Sequence, residues 1–291
     1  MAGVDEKTMF GDTSSFALQM KRLINNKDMS DIKFLIGPNR KPVYAHRCLL
    51  SARCDVFRAM FLDQAKNKES QDVPFVMSDI SMEIFMPILE FIYTNAVTLS
   101  SKNAVDVLGS ALEYGMDDLR KLSVRYLIEN LSINTASEAM QAAVTYGQDE
   151  LREKALNYTE NNTSGVFKTK GFHEMSEDAL SVVLDSDQLQ LDELDILNAV
   201  REWATVNSVV LSKPVNEVAK KVIWNVRLAL LSPDELAKVE KENEKDHMVP
   251  VELMSMAWRF HALRKPDKKN AFTKRRKGTT LRDSHKGLEN L

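Results

Sequence analysis

Strand-forming sequence is confined to about the first hundred residues of this chain, and helical periodicity fills most of the rest. Strand composition occurs at 31–36, 42–45 and 73–77, and the turn-forming residues 37–40 join the first two stretches into a hairpin. Pro74 favours an edge position or a strand start for the third stretch. Strands followed by a long run of helices predict an α+β unit and then an all-α unit, with the joint near 132–135.

The predicted helices have apolar residues at spacings of three and four. In the first, 15–26, the apolar residues Phe16, Met20 and Leu23 form a stripe on one side. We call these three residues the N-terminal stripe. A buried stripe follows Ser81, with a kink expected at Pro87. The other predicted helices are 46–53, 55–62, 104–114, 119–131, 136–146, 150–158, 177–184, 193–206, 215–224 and 251–261.

The charge of the chain is divided unevenly along its length. Residues 264–291 hold ten Lys and Arg against three Asp and Glu, which gives them a net charge of +7 and leaves −10 on the preceding residues. The same 28 residues are polar and have no apolar periodicity, so we expect a basic, disordered tail.

Composition and spacing argue against an enzyme. The ten glycines form neither a dinucleotide-binding nor an NTP-binding fingerprint, and the five histidines have no metal-ligand spacing. We therefore expect no catalytic residue, cofactor or metal. A site assembled from residues far apart in sequence remains an open alternative.

The same features bear on location. The longest stretch without a charged residue, 91–101, is too short to span a bilayer, and the N-terminus does not resemble a signal peptide. Cys48 and Cys54 have no CxxC or Cys/His context, which favours buried free thiols. We expect a cytoplasmic or nuclear protein without membrane contact.

Four stretches, in order and spacing, resemble the BTB/POZ pattern: Ser30-Asp31-Ile32, VYAHRCLLS at 43–51, VFRAMF at 56–61 and LEFIYT at 89–94. The continuation resembles the BACK domain at Gly171-Phe172, at Leu180 and Leu184, at 194–203 and at VRLALLSP in 226–233. The resemblance implies a small sheet flanked by helices, followed by an all-α domain. The expected parts are an N-terminal segment with a dimerisation helix (1–27), a BTB/POZ domain (28–131), a BACK domain (132–263) and the tail (264–291).

The resemblance also implies self-association. BTB domains dimerise through the N-terminal helix and its neighbours, so the N-terminal stripe of Phe16, Met20 and Leu23 is a candidate dimer interface. Asp31 and Arg47 match an Asp and an Arg that lie near each other beside that interface in the family. The alternative is that the helix only packs on its own domain.

Many BTB-BACK proteins are adaptors of cullin-3 ubiquitin ligases, and Met60, Phe61 and Tyr93 match the family's cullin-facing positions. Strong cullin-3 binders carry a hydrophobic residue, any residue and then Glu in the next loop, where this chain has Ala65-Lys66-Asn67. Alanine offers little apolar area and asparagine no carboxylate, so the resemblance implies weak cullin-3 binding. The implied function is a non-enzymatic, homodimerising adaptor, and the sequence does not name its protein cargo.

The basic tail indicates an alternative function. Lys274, Arg275, Arg276 and Lys277 form a candidate nuclear-import signal or a contact for acidic surfaces. Phe272 is the one aromatic residue nearby, so stacking on nucleic-acid bases has little support. The chain would then be a nuclear scaffold or transcription-linked regulator without cullin binding, or the tail would only aid solubility.

Overall fold

The computed structural model describes residues 8–9, 11–66, 73–264 and 271–283. The chain divides into two compact units, with the boundary between Glu129 and Asn130. The first unit contains all three strands found in the described residues, and the second contains helices without a sheet. This is the predicted α+β unit followed by an all-α unit.

The first unit is built on a three-stranded sheet. The central strand β1 (Ile32–Ile36) pairs antiparallel with β2 (Lys41–Ala45) and parallel with β3 (Phe75–Met77). Alternate residues of β1 are buried, as expected where one face of a strand covers the core. Gly37 begins the hairpin turn with a φ of 71°, which glycine adopts without a steric penalty.

The core of the first unit is aromatic and surrounds Phe34. The ring of Phe34 lies 5.8 Å from Phe57, 5.9 Å from Phe75 and 5.3 Å from Phe85, measured between centroids. Through Phe57 and Phe85, one helix that precedes β3 in the chain and one that follows it pack against β1. The helices of this unit are α1 (Thr13–Lys21), α2 (Arg47–Arg53), α3 (Asp55–Lys66), α4 (Met82–Thr94), α5 (Ala104–Glu113) and α6 (Asp117–Glu129).

The second unit consists of short and medium helices around an aliphatic core. Its longest helix, α12 (Glu193–Leu211), begins after Asp192, whose carboxylate accepts a hydrogen bond from Leu194 N. The helices are α7 (Ala136–Thr145), α8 (Asp149–Asn161), α9 (Thr163–Val166), α10 (Lys170–His173), α11 (Glu177–Asp185), α12 (Glu193–Leu211), α13 (Val215–Val218), α14 (Pro233–Asp246) and α15 (Val251–Leu263), with 3₁₀ turns at Val222–Asn225, Leu228–Leu230 and Ala271–Thr273.

Residues 271–283, which we call the C-terminal segment, pack against the second unit. Phe272, Thr273 and Arg276 are buried, and the amides of Lys277 and Gly278 donate to Asp187 O and Leu189 O. The expectation of a disordered tail is therefore wrong for these thirteen residues. The segment has almost no regular structure of its own, so the spacing of its apolar residues could not indicate that it packs against the second unit. The remaining tail positions 265–270 and 284–291 lie outside the described residues.

Most predicted elements are confirmed, and the differences are few. Helix α1 ends at Lys21 and a turn follows it, so Leu23 lies beyond the helix. Helix α4 continues through buried Pro87. The predicted helix 215–224 is a short helix and a separate 3₁₀ turn, and α14 was not predicted. Cys48 is exposed, whereas both thiols were expected to be buried.

Candidate functional site

The N-terminal stripe passes from the surface of the first unit towards its core. Phe16, on the second turn of α1, is 59% exposed, whereas Met20 is half-buried and Leu23 packs against the core. Leu18, on another side of the helix, is 67% exposed. The packing of Leu23 agrees with part of the alternative in which this region covers its own domain, but Phe16 remains available to a partner.

A charged contact fixes α1 on α4. Lys21 Nζ lies 2.5 Å from Glu90 Oε1, and Thr98 N donates to Glu90 Oε2 at 3.0 Å. Burial raises the pKa of Glu90, but the hydrogen bonds from Lys21 and Thr98 outweigh it and leave the pKa below its ordinary value. The helix that carries Phe16 is thus held in place before any partner arrives.

Asp31 and Arg47 lie together, as the resemblance implied. Arg47 N donates to Asp31 Oδ1 at 2.7 Å, and Arg47 Nε donates to the backbone carbonyl of Asp31 at 3.3 Å. The guanidinium also donates to Gln64 Oε1 at 2.7 Å and lies 4.9 Å from the centroid of the Phe61 ring. The contact therefore ties the start of α2 to β1 and α3, while its place in a dimer interface stays a prediction.

The candidate cullin-facing residues are mostly in the core. Phe61 packs among Phe34, Phe57 and Phe75, and both Phe61 and Tyr93 are buried. The expectation that these two side chains face a partner is corrected by this burial, because matching positions in a pattern does not give side-chain direction. Met60 is half-buried and keeps its candidate role.

Tyr93 has a structural role. Its hydroxyl accepts a hydrogen bond from His46 N at 2.9 Å and lies 2.9 Å from His46 Nδ1. Burial raises the pKa of Tyr93 to about 12, so the hydroxyl keeps its proton at neutral pH.

The sequence prediction missed Leu62. It lies on the outer side of α3 with 58% of its surface exposed, next to half-buried Met60 and followed by exposed Ala65 and Lys66. Asn67, the last residue of the loop stretch Ala65-Lys66-Asn67 that differs from strong cullin-3 binders, lies outside the described residues. The signal was available, because Phe57 and Phe61 at i and i+4 define the buried side of α3 and leave Leu62 off it.

The basic cluster is not a free surface. Arg276 is buried and its Nε donates to Glu193 Oε2 at 3.1 Å, while Lys274 pairs with Asp187. Arg275 is half-buried and Lys277 is exposed. A nuclear-import signal or an acidic-surface contact would need these side chains together in solvent, so the alternative function is at odds with the packed segment.

Across the described parts of the chain, no three His, Cys, Asp or Glu side chains converge as metal ligands. No helix in those parts combines the length and the apolar character that crossing a bilayer demands.

Comparison with known proteins agrees with this architecture. A model of the BTB/POZ domain matches residues 20–131, and a model described as BTB And C-terminal Kelch (BACK) matches residues 136–241. The chain is 42% identical over 280 residues to BTB/POZ domain-containing protein 19 of Bos taurus and of Homo sapiens, which covers 96% of this chain and of each relative.

More distant likenesses cover less. BTB/POZ domain-containing protein 9 of Drosophila melanogaster is 30% identical over 227 residues, 77% of this chain and 30% of that protein. The BTB domain of zebrafish PATZ1 matches 43% of this chain and all of its own length, with 19% identity and a TM-score of 0.33. The family models and the full-length relatives place two protein-interaction domains in tandem, and the chain belongs to the BTB/POZ family with a BACK domain.

Proposed function

We propose that this chain is a non-enzymatic, homodimerising interaction adaptor that binds cullin-3 through its first unit. The observation that carries self-association is Phe16, a large apolar side chain that is 59% exposed on a helix fixed to α4. Burying such a side chain in an isologous contact contributes about 1.5 to 3 kcal/mol per copy. The fixed helix lowers the entropic cost of that contact.

Light scattering of the purified chain tests the dimer. We expect twice the monomer mass at micromolar concentration and a monomer for Phe16→Asp, because a carboxylate would have to be desolvated at the interface. Leu18→Asp is the matched control, since Leu18 is exposed on the same helix but outside the stripe. A native monomer contradicts the proposed dimer, and loss of the dimer in both variants contradicts its assignment to the N-terminal stripe.

The proposed cullin-3 contact uses the outer side of α3. Leu62 supplies exposed apolar area there, with Met60 beside it, and the family relationship favours this helix as the contact. Ala65 and Asn67 lack the large apolar group and the carboxylate of strong binders, a deficit of about 1 to 3 kcal/mol, or roughly five- to 150-fold in affinity. Weak but measurable binding is the expected result.

Calorimetry with the purified N-terminal region of cullin-3 tests this contact. Leu62→Asp should abolish binding, whereas the double change Ala65→Met and Asn67→Glu should tighten it. Leu112→Asp, at a partly exposed leucine of α5, is the control for a surface leucine outside α3. No binding by either the native or the loop-restored chain removes cullin-3 from the proposal, and tight native binding contradicts the role given to the loop.

The compartment is part of the same proposal. Cys48 is exposed and Cys54 is buried, and both are free thiols. Free thiols of this kind suit the reducing cytoplasm or nucleus. Fluorescence microscopy of the tagged full-length chain is the direct measurement, and a secreted or membrane-bound signal would contradict this placement.

A further inference from the structure

The C-terminal segment lies in a groove of the second unit that is rich in hydrogen-bond acceptors. We call it the arginine groove. It is lined by the end of α11, the connection to α12, the first turn of α12, the 3₁₀ turn before residue 226 and the first turn of α14. The acceptors are Leu184 O, Ser186 O, Asn225 O and the carboxylates of Asp187, Asp192, Glu193 and Glu235.

Arg276 is the central anchor in this groove. Its Nε donates to Glu193 Oε2 at 3.1 Å, one terminal nitrogen donates to Leu184 O at 2.5 Å and to Ser186 O, and the other donates to Asn225 O at 2.6 Å. The side chains of Arg276 and Glu193 are both 0% exposed. Arginine has five N–H donors and supplies hydrogen bonds to all four of these acceptors, whereas a lysine ammonium with three donors cannot satisfy them.

Arg282 is the second anchor. One of its terminal nitrogens lies 2.7 Å from Asp192 Oδ1, and its Nε lies 2.5 Å from Glu235 Oε2. Burial raises the pKa of each carboxyl, but hydrogen bonds, first of all from Arg282, lower both below their ordinary values. Both carboxylates are therefore charged at neutral pH, and the guanidinium lies between two anions.

The groove also binds the backbone of the segment through hydrogen bonds to its amides. Lys277 N donates to Asp187 O and Gly278 N to Leu189 O, each at 2.9 Å, and Thr280 N donates to Asp192 Oδ2 at 2.7 Å. A Cβ atom at Gly278 would lie 2.1 Å from Leu191 N, so any other residue here would force the segment away. The groove thus selects an arginine, a glycine two residues later and a second arginine four residues after that.

The acceptors of the groove are held by the second unit itself. Asp192 caps α12 through Leu194 N, and Glu235 accepts from Ser232 N in the capping box of α14. Glu193 Oε1 accepts from Arg227 N at 2.6 Å, and Arg227 also pairs with Asp187 at 2.7 Å. Because these contacts do not involve the segment, each carboxylate keeps a partner in the rest of the second unit when the segment leaves.

From these contacts we propose that the arginine groove is a peptide-binding site, and that the C-terminal segment is its tethered ligand. The ligand is an extended basic peptide with the pattern Phe-x-x-x-Arg-x-Gly-x-x-x-Arg, which residues 272–282 supply. The same segment from a second copy of the chain makes the same contacts and occupies the groove once the tethered segment has been cut free. Exchange returns Lys274 to Lys277 to solvent.

The test uses the full-length chain with residues 265–270 replaced by a protease recognition sequence. After cleavage, the segment should co-elute with the body on gel filtration, and a fluorescent peptide of residues 271–283 should exchange into the groove. Peptides carrying Arg276→Lys or Gly278→Val should bind at least about tenfold more weakly, because the first loses hydrogen bonds of the guanidinium and the second places a side chain against the backbone at Leu191. A peptide with Lys277→Ala is the matched control and should bind nearly as well as the native one.

Three results would overturn the proposal. Unfolding of the cleaved body as the segment departs would make the segment an integral part of the core. A cleaved segment that stays bound and never exchanges with excess peptide would likewise make the segment an integral part of the core. Finally, equal binding of the native, Arg276→Lys and Gly278→Val peptides would show that charge alone, rather than a built site, holds the segment.

Discussion

A buried charge pair, Arg276 with Glu193, dominates the energetics of single residues. Both side chains are removed from solvent, so either one is costly without the other. Replacing Arg276 with Met should lower the free energy of unfolding by about 3 to 5 kcal/mol, unless the segment leaves the groove and lets water reach Glu193. In that case, the loss equals the docking free energy of the segment.

Urea denaturation followed by circular dichroism measures this effect. Lys277→Ala is the control, because Lys277 is the exposed neighbour of Arg276 and its replacement should change stability by less than about 0.5 kcal/mol. Equal stability of the native chain and Arg276→Met would contradict a buried ion pair. A disordered tail could be deleted without loss of stability, whereas the buried contact of Arg276 with Glu193 predicts a loss.

Tyr93 is a second residue whose protonation state affects stability. Tyr93→Phe leaves the buried amide of His46 without its acceptor and should cost about 1 to 3 kcal/mol at neutral pH. The pKa of Tyr93 is raised to about 12 in the folded chain from an ordinary value near 10. The folded state therefore holds this proton more tightly, and the contribution of Tyr93 falls as pH rises from about 10 towards 12.

Denaturation of the native chain and Tyr93→Phe across this pH range checks both parts. The difference between the two should shrink above about pH 10. A difference that is constant up to pH 12, or absent at neutral pH, would contradict the role given to Tyr93.

At the residue scale, some side-chain positions could be predicted from the sequence and others could not. The closeness of Asp31 and Arg47 followed from the resemblance and is confirmed by the 2.7 Å contact between Arg47 N and Asp31 Oδ1. The burial of Phe61 and Tyr93 did not follow, because side-chain direction depends on neighbours such as Phe34 and His46 that come from other elements. Leu62 was not predicted, because the family pattern marks its neighbours Met60 and Phe61 and not Leu62 itself.

At the scale of elements, α14 shows how a polar helix begins. Ser232 accepts from Glu235 N, and Glu235 accepts from Ser232 N, with Pro233 in the first turn. The sequence pattern Ser-Pro-Asp-Glu carries this capping box, but few apolar residues follow it, so periodicity alone did not indicate a helix. The cap, rather than the apolar pattern, was the usable signal.

Glu235 connects this cap with the C-terminal segment, which leads to a prediction for the element. Ser232→Ala should cost about 1 kcal/mol, typical of a lost N-cap. Glu235→Ala should cost more, because it also removes the ion pair with Arg282. Thermal unfolding of both variants and of Lys238→Ala, an α14 control, is the measurement, and an effect of Glu235→Ala no greater than that of Ser232→Ala would contradict the double role.

At the scale of the whole chain, the uneven charge acquires a structural explanation. The net charge of +7 on residues 264–291 opposes −10 on the rest, and part of the positive charge meets Asp187, Asp192 and Glu235 in the groove. The two-unit fold could be predicted because strands and helices have local periodicities. The docked segment could not, because its partners are up to 92 residues away and its own sequence has no period.

Acid should release the C-terminal segment. Burial raises the pKa values of Asp187, Asp192 and Glu235, but hydrogen bonds from Lys274, Arg227 and Arg282 lower all three overall. A carboxyl whose folded pKa is lowered contributes stability above its unfolded pKa and loses it as pH falls through the folded value. Docking should therefore be constant from pH 7 to about 5 and weaken below about pH 4.

Fluorescence anisotropy of a dye at the C-terminus measures this release. Asp192→Asn removes one of the charges and should make the dye more mobile at neutral pH. Increased mobility of the native chain between pH 7 and 5 would contradict the assignment, because none of the three lowered pKa values lies in that range.

The connection between Arg264 and the segment is six residues long, and its length determines which peptides can compete with the segment for the arginine groove. A ligand joined to its site by so short a tether has an effective concentration in the millimolar range. An outside peptide at micromolar concentration must therefore bind about a thousandfold more tightly than the C-terminal segment does in order to occupy half of the grooves. Weakly binding basic peptides would therefore not displace the segment. The groove would become available only to a tightly binding peptide, or after the connection is cut.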